Sequence, residues 1–553
     1  MSSYYNLGSH RLTITTSSPE GQVWFDRGLL WCYGFNHGEA SHCFRRALES
    51  DPDCAMAYWG IAHALGPNYN KPWDAFDEAE FKSVLAEAYE ASAKSVALPD
   101  VVTEMEQALI GTLPFRYPTA TPGPDLSGWV EDYVTEMRRV YHRFPDHPDI
   151  CILFAESLMN RTPWNLWDLK TGGIAEGAST AEAKEVLESA LQRIEDAGGR
   201  WHPGLLHMYI HLMEMSPNPE IALKVADRLR GLVPDSGHLQ HMATHIDILC
   251  GHYQAVVDSN DAAIIADRKF QVLEGSVNFY SLYRCHNYHF KVYGAMFLGQ
   301  YRPAIEAAEE MISSTLTAEL LRVESPPMAD WLEGFVSIKK HVLIHFGRWE
   351  EIIVQDLPED QELYCVTTAM IRYAKAVALA STRDVPAAER ESALFDEALA
   401  RVPDSRYIFN NTCLDILAVA REMMLGEIEY RKGNSDASFA HLRKSVELDD
   451  NLPYDEPWGW MQPTRHALGA LLMEQGRVEE ACRIYREDLG CGDTISLASQ
   501  HPDNVWSLHE YHECLTRLGR TAEAEIIEQR LRLANARTDI PVAASCFCRL
   551  EAD

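Results

Sequence analysis

Two histidine pairs in this sequence, His207/His211 and His241/His245, have i,i+4 spacing and lie 34 residues apart. A third pair, His286 and His289, follows. Residues four apart share one face of a helix, so each pair presents two imidazoles side by side. Neutral imidazole is a good ligand for copper, zinc, iron and nickel. A histidine-rich set with few carboxylates favours copper, with iron or zinc as alternatives, over magnesium or calcium. Glu214 stands three residues after His211, on the same face. It can serve as a ligand, as an acceptor that orients an imidazole, or as an acid–base group. Position 208 is Met, so the His-Glu-x-x-His arrangement of zinc proteases is absent.

The elements that must carry these residues repeat. Trp24, Gly28 and Trp31 space a first helix, Ala40, Phe44 and Ala47 space a second, and Asp51-Pro52 closes the unit. This pattern resembles the tetratricopeptide repeat at nearly every signature position. Small Gly28 and Ala40 are expected to let the two helices approach, with Trp24, Trp31 and Phe44 filling the space to the next pair. The mark between first and second helix recurs at Gly251, Gly299, Gly347, Gly433, Gly476 and Gly519. Strand signals are nearly absent. The expectation is an all-α, tetratricopeptide-type helical-repeat solenoid, one superhelix over residues 1–553. Its histidine-rich repeats span 202–299, and residues 540–553 form a C-terminal tail. Gly66–Pro72, Thr162–Trp167 and Pro453–Trp460 read as loops, the last two rich in aromatics.

Counting back from each loop glycine gives the register. His207, His241, His289, His466 and His509 share one first-helix position. His211, His245 and His341 share a second, four residues on, where the third unit carries Tyr293. His238 and His286 share a third, three residues before the first. In proteins with this repeat these positions line the concave groove where ligands bind, so the resemblance implies a groove walled by imidazoles. Longer strings, among them Phe35-Asn-His-Gly-Glu-Ala40, His202-Pro-Gly204 to His211, and Gly237-His-Leu-Gln-His-Met242, are similar to a widespread microbial group of large tetratricopeptide-repeat proteins with histidine-rich first helices. That resemblance implies the architecture and the histidine strings but no reaction.

Composition bounds the rest. The 553 residues are 46% hydrophobic and carry a formal charge of −33. The acidity argues against nucleic-acid and anionic-membrane partners. No apolar run reaches transmembrane length and no secretory signal is visible, so a cytoplasmic protein is expected. The 13 cysteines are odd in number and scattered, as buried reduced thiols would be. Cys546-Phe-Cys548 stands apart, since Cys-x-Cys can present two thiolates to a soft metal.

These residues point first to a metal-dependent oxidoreductase, with copper or iron, acting on a small-molecule substrate in the groove. The metal ligands expected are His207, His211, His241, His245, His286 and His289, with Glu214 and Tyr293 as catalytic groups. His238, His202, His466, Cys546 and Cys548 are possible additions. Two alternatives stand beside it: a scaffold that binds a protein or peptide partner, and a zinc-dependent hydrolase in which Glu214 acts with metal-bound water.

Overall fold

The computed structural model describes residues 4–98, 102–123, 125–492 and 494–549. The chain is an all-α helical-repeat protein of tetratricopeptide type. Strand among the described residues is confined to a small antiparallel hairpin, Tyr407–Ile408 with Asn411–Thr412. No helix among the described residues is long and apolar enough to cross a membrane. The chain divides into two compact units, one of Met1–Ile246 with Ala262–Gly275, the other of Asp247–Asp261 with Ser276–Asp553.

In the first unit the helices Pro19–Tyr33, His37–Ser50 and Ala55–Leu65 pack in succession. Ser18 caps the first through Gly21 and Asn36 caps the second through Glu39, satisfying amides that a helix start leaves open. Phe44 is fully buried. A Cβ at either Gly28 or Gly60 would fall 2.6 Å from its ring, so one aromatic fills the space that two glycines vacate. The partner ring is Phe25, 5.4 Å away, and not Trp24. Trp24 is half-buried, edge-on to Tyr4 and under the guanidinium groups of Arg27 and Arg46. Neighbouring helical positions point about 100° apart, so only one of residues 24 and 25 can face the next helix. The smaller ring takes that place.

All six glycines marking the turns between paired helices have left-handed φ, from 62° at Gly347 to 84° at Gly433. After each, the next amide reaches back five residues, as from Gln300 to Ala295 O at 2.9 Å and from Arg348 to Leu343 O at 2.9 Å. This is the helix-ending motif that favours glycine because a Cβ is costly there. The first repeat makes the same bond, Asn36 N to Trp31 O at 2.9 Å, but its left-handed residue is Phe35 at φ 55°.

We predict that Gly60→Ala destabilises the first unit by about 1–3 kcal/mol through overpacking against Phe44. Gly38→Ala, where an added Cβ meets nothing within 4 Å, should be neutral or slightly stabilising. Urea denaturation of the two variants side by side checks both.

Candidate metal centre

The helix Pro203–Met213 carries His207 and His211, and every one of its residues is buried. The next histidines lie on Gly237–His241 and Thr244–Leu249, two helical pieces parted at Met242–Ala243. There the ladder tightens to i→i−3 bonds, His245 N to Met242 O and Ile246 N to Ala243 O. The continuous helix implied by the i,i+4 spacing is thus broken between His241 and His245. Their Nε2 atoms stand 2.7 Å apart.

Hydrogen bonds determine which nitrogen of each ring carries the proton. His207 Nδ1 lies 2.6 Å from the Tyr33 carbonyl, which can only accept. His211 Nδ1 lies 3.0 Å from Glu214 Oε1, and His245 Nδ1 lies 2.6 Å from Glu214 Oε2. Each Nδ1 therefore donates, and each Nε2 keeps its lone pair. Thr244 donates its hydroxyl proton to the His241 carbonyl at 2.7 Å, and with His245 Nδ1 donating to Glu214 the 2.7 Å bond between the two rings runs from His241 Nε2–H to the His245 Nε2 lone pair. Burial, with the charge of the neighbouring imidazoles, holds His207 and His211 well below the usual histidine range, so both are neutral at pH 7.

These lone pairs converge. His207 Nε2 lies 3.2 Å from His238 Nε2. The nearest ligand atoms of His207, His211 and His238 all lie within 4.8 Å of one another, as do those of His211, Glu214 and His245. His211 Nε2 is buried and finds no hydrogen-bond partner among the described residues. With metal–nitrogen bonds of about 2.0–2.1 Å, this donor set fits a nitrogen-loving transition metal. The site is also shielded from bulk solvent, since all five histidines and Glu214 are at most 1% exposed.

Three aromatics that the sequence did not mark as part of the site wall it. Phe35 lies 4.4 Å from His207 and stacks on His211 and His238. Tyr69 and Trp164 pack on His211 at 5.1 and 5.7 Å. Trp164, like Phe35, has left-handed φ, at 58°. Both loops are pinned. Arg116 donates to Pro67 O at 2.6 Å, and Trp167 Nε1 donates to Leu212 O at 2.6 Å. The aromatic content of these loops was visible in the sequence, but the ring they would meet was not.

His202 lies outside the cluster. Its Nδ1 accepts from Leu205 N, so its Nε2 carries the proton and donates to Asp149 at 3.2 Å, beside His10 and Tyr33. That is a filled hydrogen-bond network capping the helix.

His286, His289 and Tyr293 lie on Ser281–Phe297 in the second unit. His286 packs edge-on to Phe290 and Phe409. His289 is buried, and neither ring nitrogen has a partner among the described residues. Tyr293 Oη lies 3.0 Å from His501 Nε2. His341 Nδ1 accepts from Gln462 at 3.1 Å. His466 joins a network on Asp488, which also takes bonds from His501, Asn504 and Ser507. Cys546 and Cys548 form a disulfide with each other, in a cleft that His345 and His466 also line.

No protein-family model matches the chain, and no curated protein matches it. Among solved structures it is similar to Cut9 in the Cut9–Hcn1 hetero-tetramer of the APC/C, at 13% identity over 90% of this chain and 76% of the other, with TM-score 0.31. It is also similar to yeast Tom70, at 12% identity over 93% and 96% with TM-score 0.26, and to Ypp1, at 10% identity over 95% and 78% with TM-score 0.41.

Two predictions follow from this geometry. Phe35→Ala should be less stable than Phe35→Gly by about 1 kcal/mol, although the two lose nearly the same ring, because alanine keeps a Cβ in left-handed backbone; urea denaturation reads the difference. In the second unit, burial pushes His289, His341 and His345 down to about 3. Each folded value lies below the unfolded 6.5, so the unfolded chain binds the extra protons. Stability is then full above about pH 6.5 and falls as pH drops toward 3, by up to about 1.4 kcal/mol per pH unit per histidine. His289→Leu should lower that slope by one proton's worth in urea titrations at pH 7 and about pH 5.

Proposed function

We propose that the cluster of His207, His211, His238, His241 and His245 holds a transition metal and that the protein is a metal-dependent oxidoreductase acting on a small molecule. The observation that carries this reading is Glu214. Its two oxygens accept from the Nδ1 atoms of His211 and His245, which come from successive repeats, and it is 1% exposed. A carboxylate behind a ligating imidazole orients the ring and raises its basicity. One carboxylate here does so for two rings, while the Tyr33 carbonyl does so for His207.

Copper is the first choice and iron the second, because the inward donors are imidazole nitrogens and the Glu214 carboxylate is engaged behind the rings. Either metal supplies one-electron chemistry when bound. The chain's own part is to hold the rings, keep Nε2 of His207, His211 and His245 unprotonated and exclude water with Phe35, Tyr69 and Trp164. Both Glu214 oxygens are taken by imidazole N–H groups, which favours the orienting role over that of a base for hydrolysis. A peptide-binding groove would not call for three imidazole Nδ1 atoms fixed by buried acceptors.

Metal analysis and a visible spectrum of the purified protein test this. The expected result is near-stoichiometric copper or iron in the wild type, lost in His211→Ala/His245→Ala. Glu214→Gln should weaken metal affinity about tenfold to a hundredfold while the protein stays folded. Equal, sub-stoichiometric metal in wild type and double variant would refute the reading, and tight zinc without affinity for copper or iron would move it to hydrolysis.

A further inference from the structure

The second unit holds a reactive group of another kind. Lys340, on the helix Ile338–His345, is 3% exposed. It lines a cleft of about 560 Å³ with an apolar wall that includes Ile312, Leu316, Val336 and Ile371. Its amine makes no hydrogen bond or ion pair among the described residues. Glu309, which also lines the cleft, pairs with Lys339 at 2.7 Å. The other titratable groups lining the cleft are Asp356 and Tyr364.

A buried ammonium without a carboxylate is costly, and lysine escapes the cost by shedding its proton. Burial, with the charge of Lys339 beside it, pushes the Lys340 amine down to about 7. At neutral pH its unprotonated fraction is about three orders of magnitude above that of an ordinary lysine near 10.4. A desolvated amine next to a second cation, opening on an apolar cleft, is the arrangement that activates lysine as a nucleophile.

We propose that Lys340 is a carbonyl-reactive amine and that this cleft takes small aldehydes or ketones with an apolar body. The Nζ lone pair attacks the carbonyl carbon as the C–O π pair moves to oxygen and is protonated. The nitrogen gives its proton to water, and loss of water from the carbinolamine forms the C=N bond. No oxidant or reductant enters, and the step is independent of the metal reading.

The test is reductive trapping on the full-length wild-type protein with benzaldehyde and sodium cyanoborohydride, with adducts mapped by peptide mass spectrometry. At about pH 7.5, Lys340 should be labelled about tenfold faster than Lys339 or more. Its rate should level off above about pH 7, while that of Lys339 keeps rising. Lys340→Met should lose this adduct and keep the slow ones. Labelling of Lys340 no faster than Lys339, no adduct at Lys340, or a rate still rising at pH 9 would each overturn the proposal.

Discussion

The first unit is organised around one buried carboxylate. Leaving Glu214 ionised out of water is expensive unless its oxygens are bonded, and the bonds it finds are the Nδ1–H groups of His211 and His245. That interaction joins two consecutive repeats through their inner helices. It also sets the tautomer of both rings, so that their second nitrogens point inward as lone pairs. The Tyr33 carbonyl does the same for His207. The helix break at Met242–Ala243, which brings His241 and His245 within 2.7 Å, makes sense as part of the same arrangement.

Around this core the protein accepts local strain. The turn of the first repeat makes the bond that glycine makes in six later repeats, but Phe35 occupies its left-handed position. An L-residue there costs roughly 1–2 kcal/mol. What the position gains is a ring laid across three imidazoles. Trp164 repeats the exchange on another loop. Non-glycine residues held in left-handed backbone tend to gather at functional sites, and both of these rings pack on His211.

The second unit reuses the same repeat positions with different outcomes. His289, His341 and His466 are all buried, as the register implies. His341 is bonded to Gln462 and His466 to the Asp488 network, while His289 sits among apolar rings, edge-on to Phe335. A shared repeat position therefore favours burial without securing it, since His509 at the position of His289 and His466 is only half-buried, and the partner each ring meets dictates its chemistry. Lys340 shows this in reverse: it belonged to none of the histidine registers, yet burial beside Lys339 gives it the most unusual amine environment of its cleft.

The sequence by itself determined the helical repeat, its turns and the register of the histidines, because these depend on side chains close along the chain: glycine where backbone turns left-handed, and small against large residues on paired helices. It also brought Glu214 onto the face of His211, three residues away. Whether residue 24 or 25 faces the next helix was decided by packing, since both are aromatic. That Glu214 also reaches His245, that Phe35, Tyr69 and Trp164 close over the rings, and that His202 is absorbed by Asp149 were decided only by the tertiary structure. Those contacts join residues from 31 positions apart, Glu214 and His245, to 203, Phe35 and His238. A periodic pattern records which face a residue is on, but not which distant group will stand opposite it.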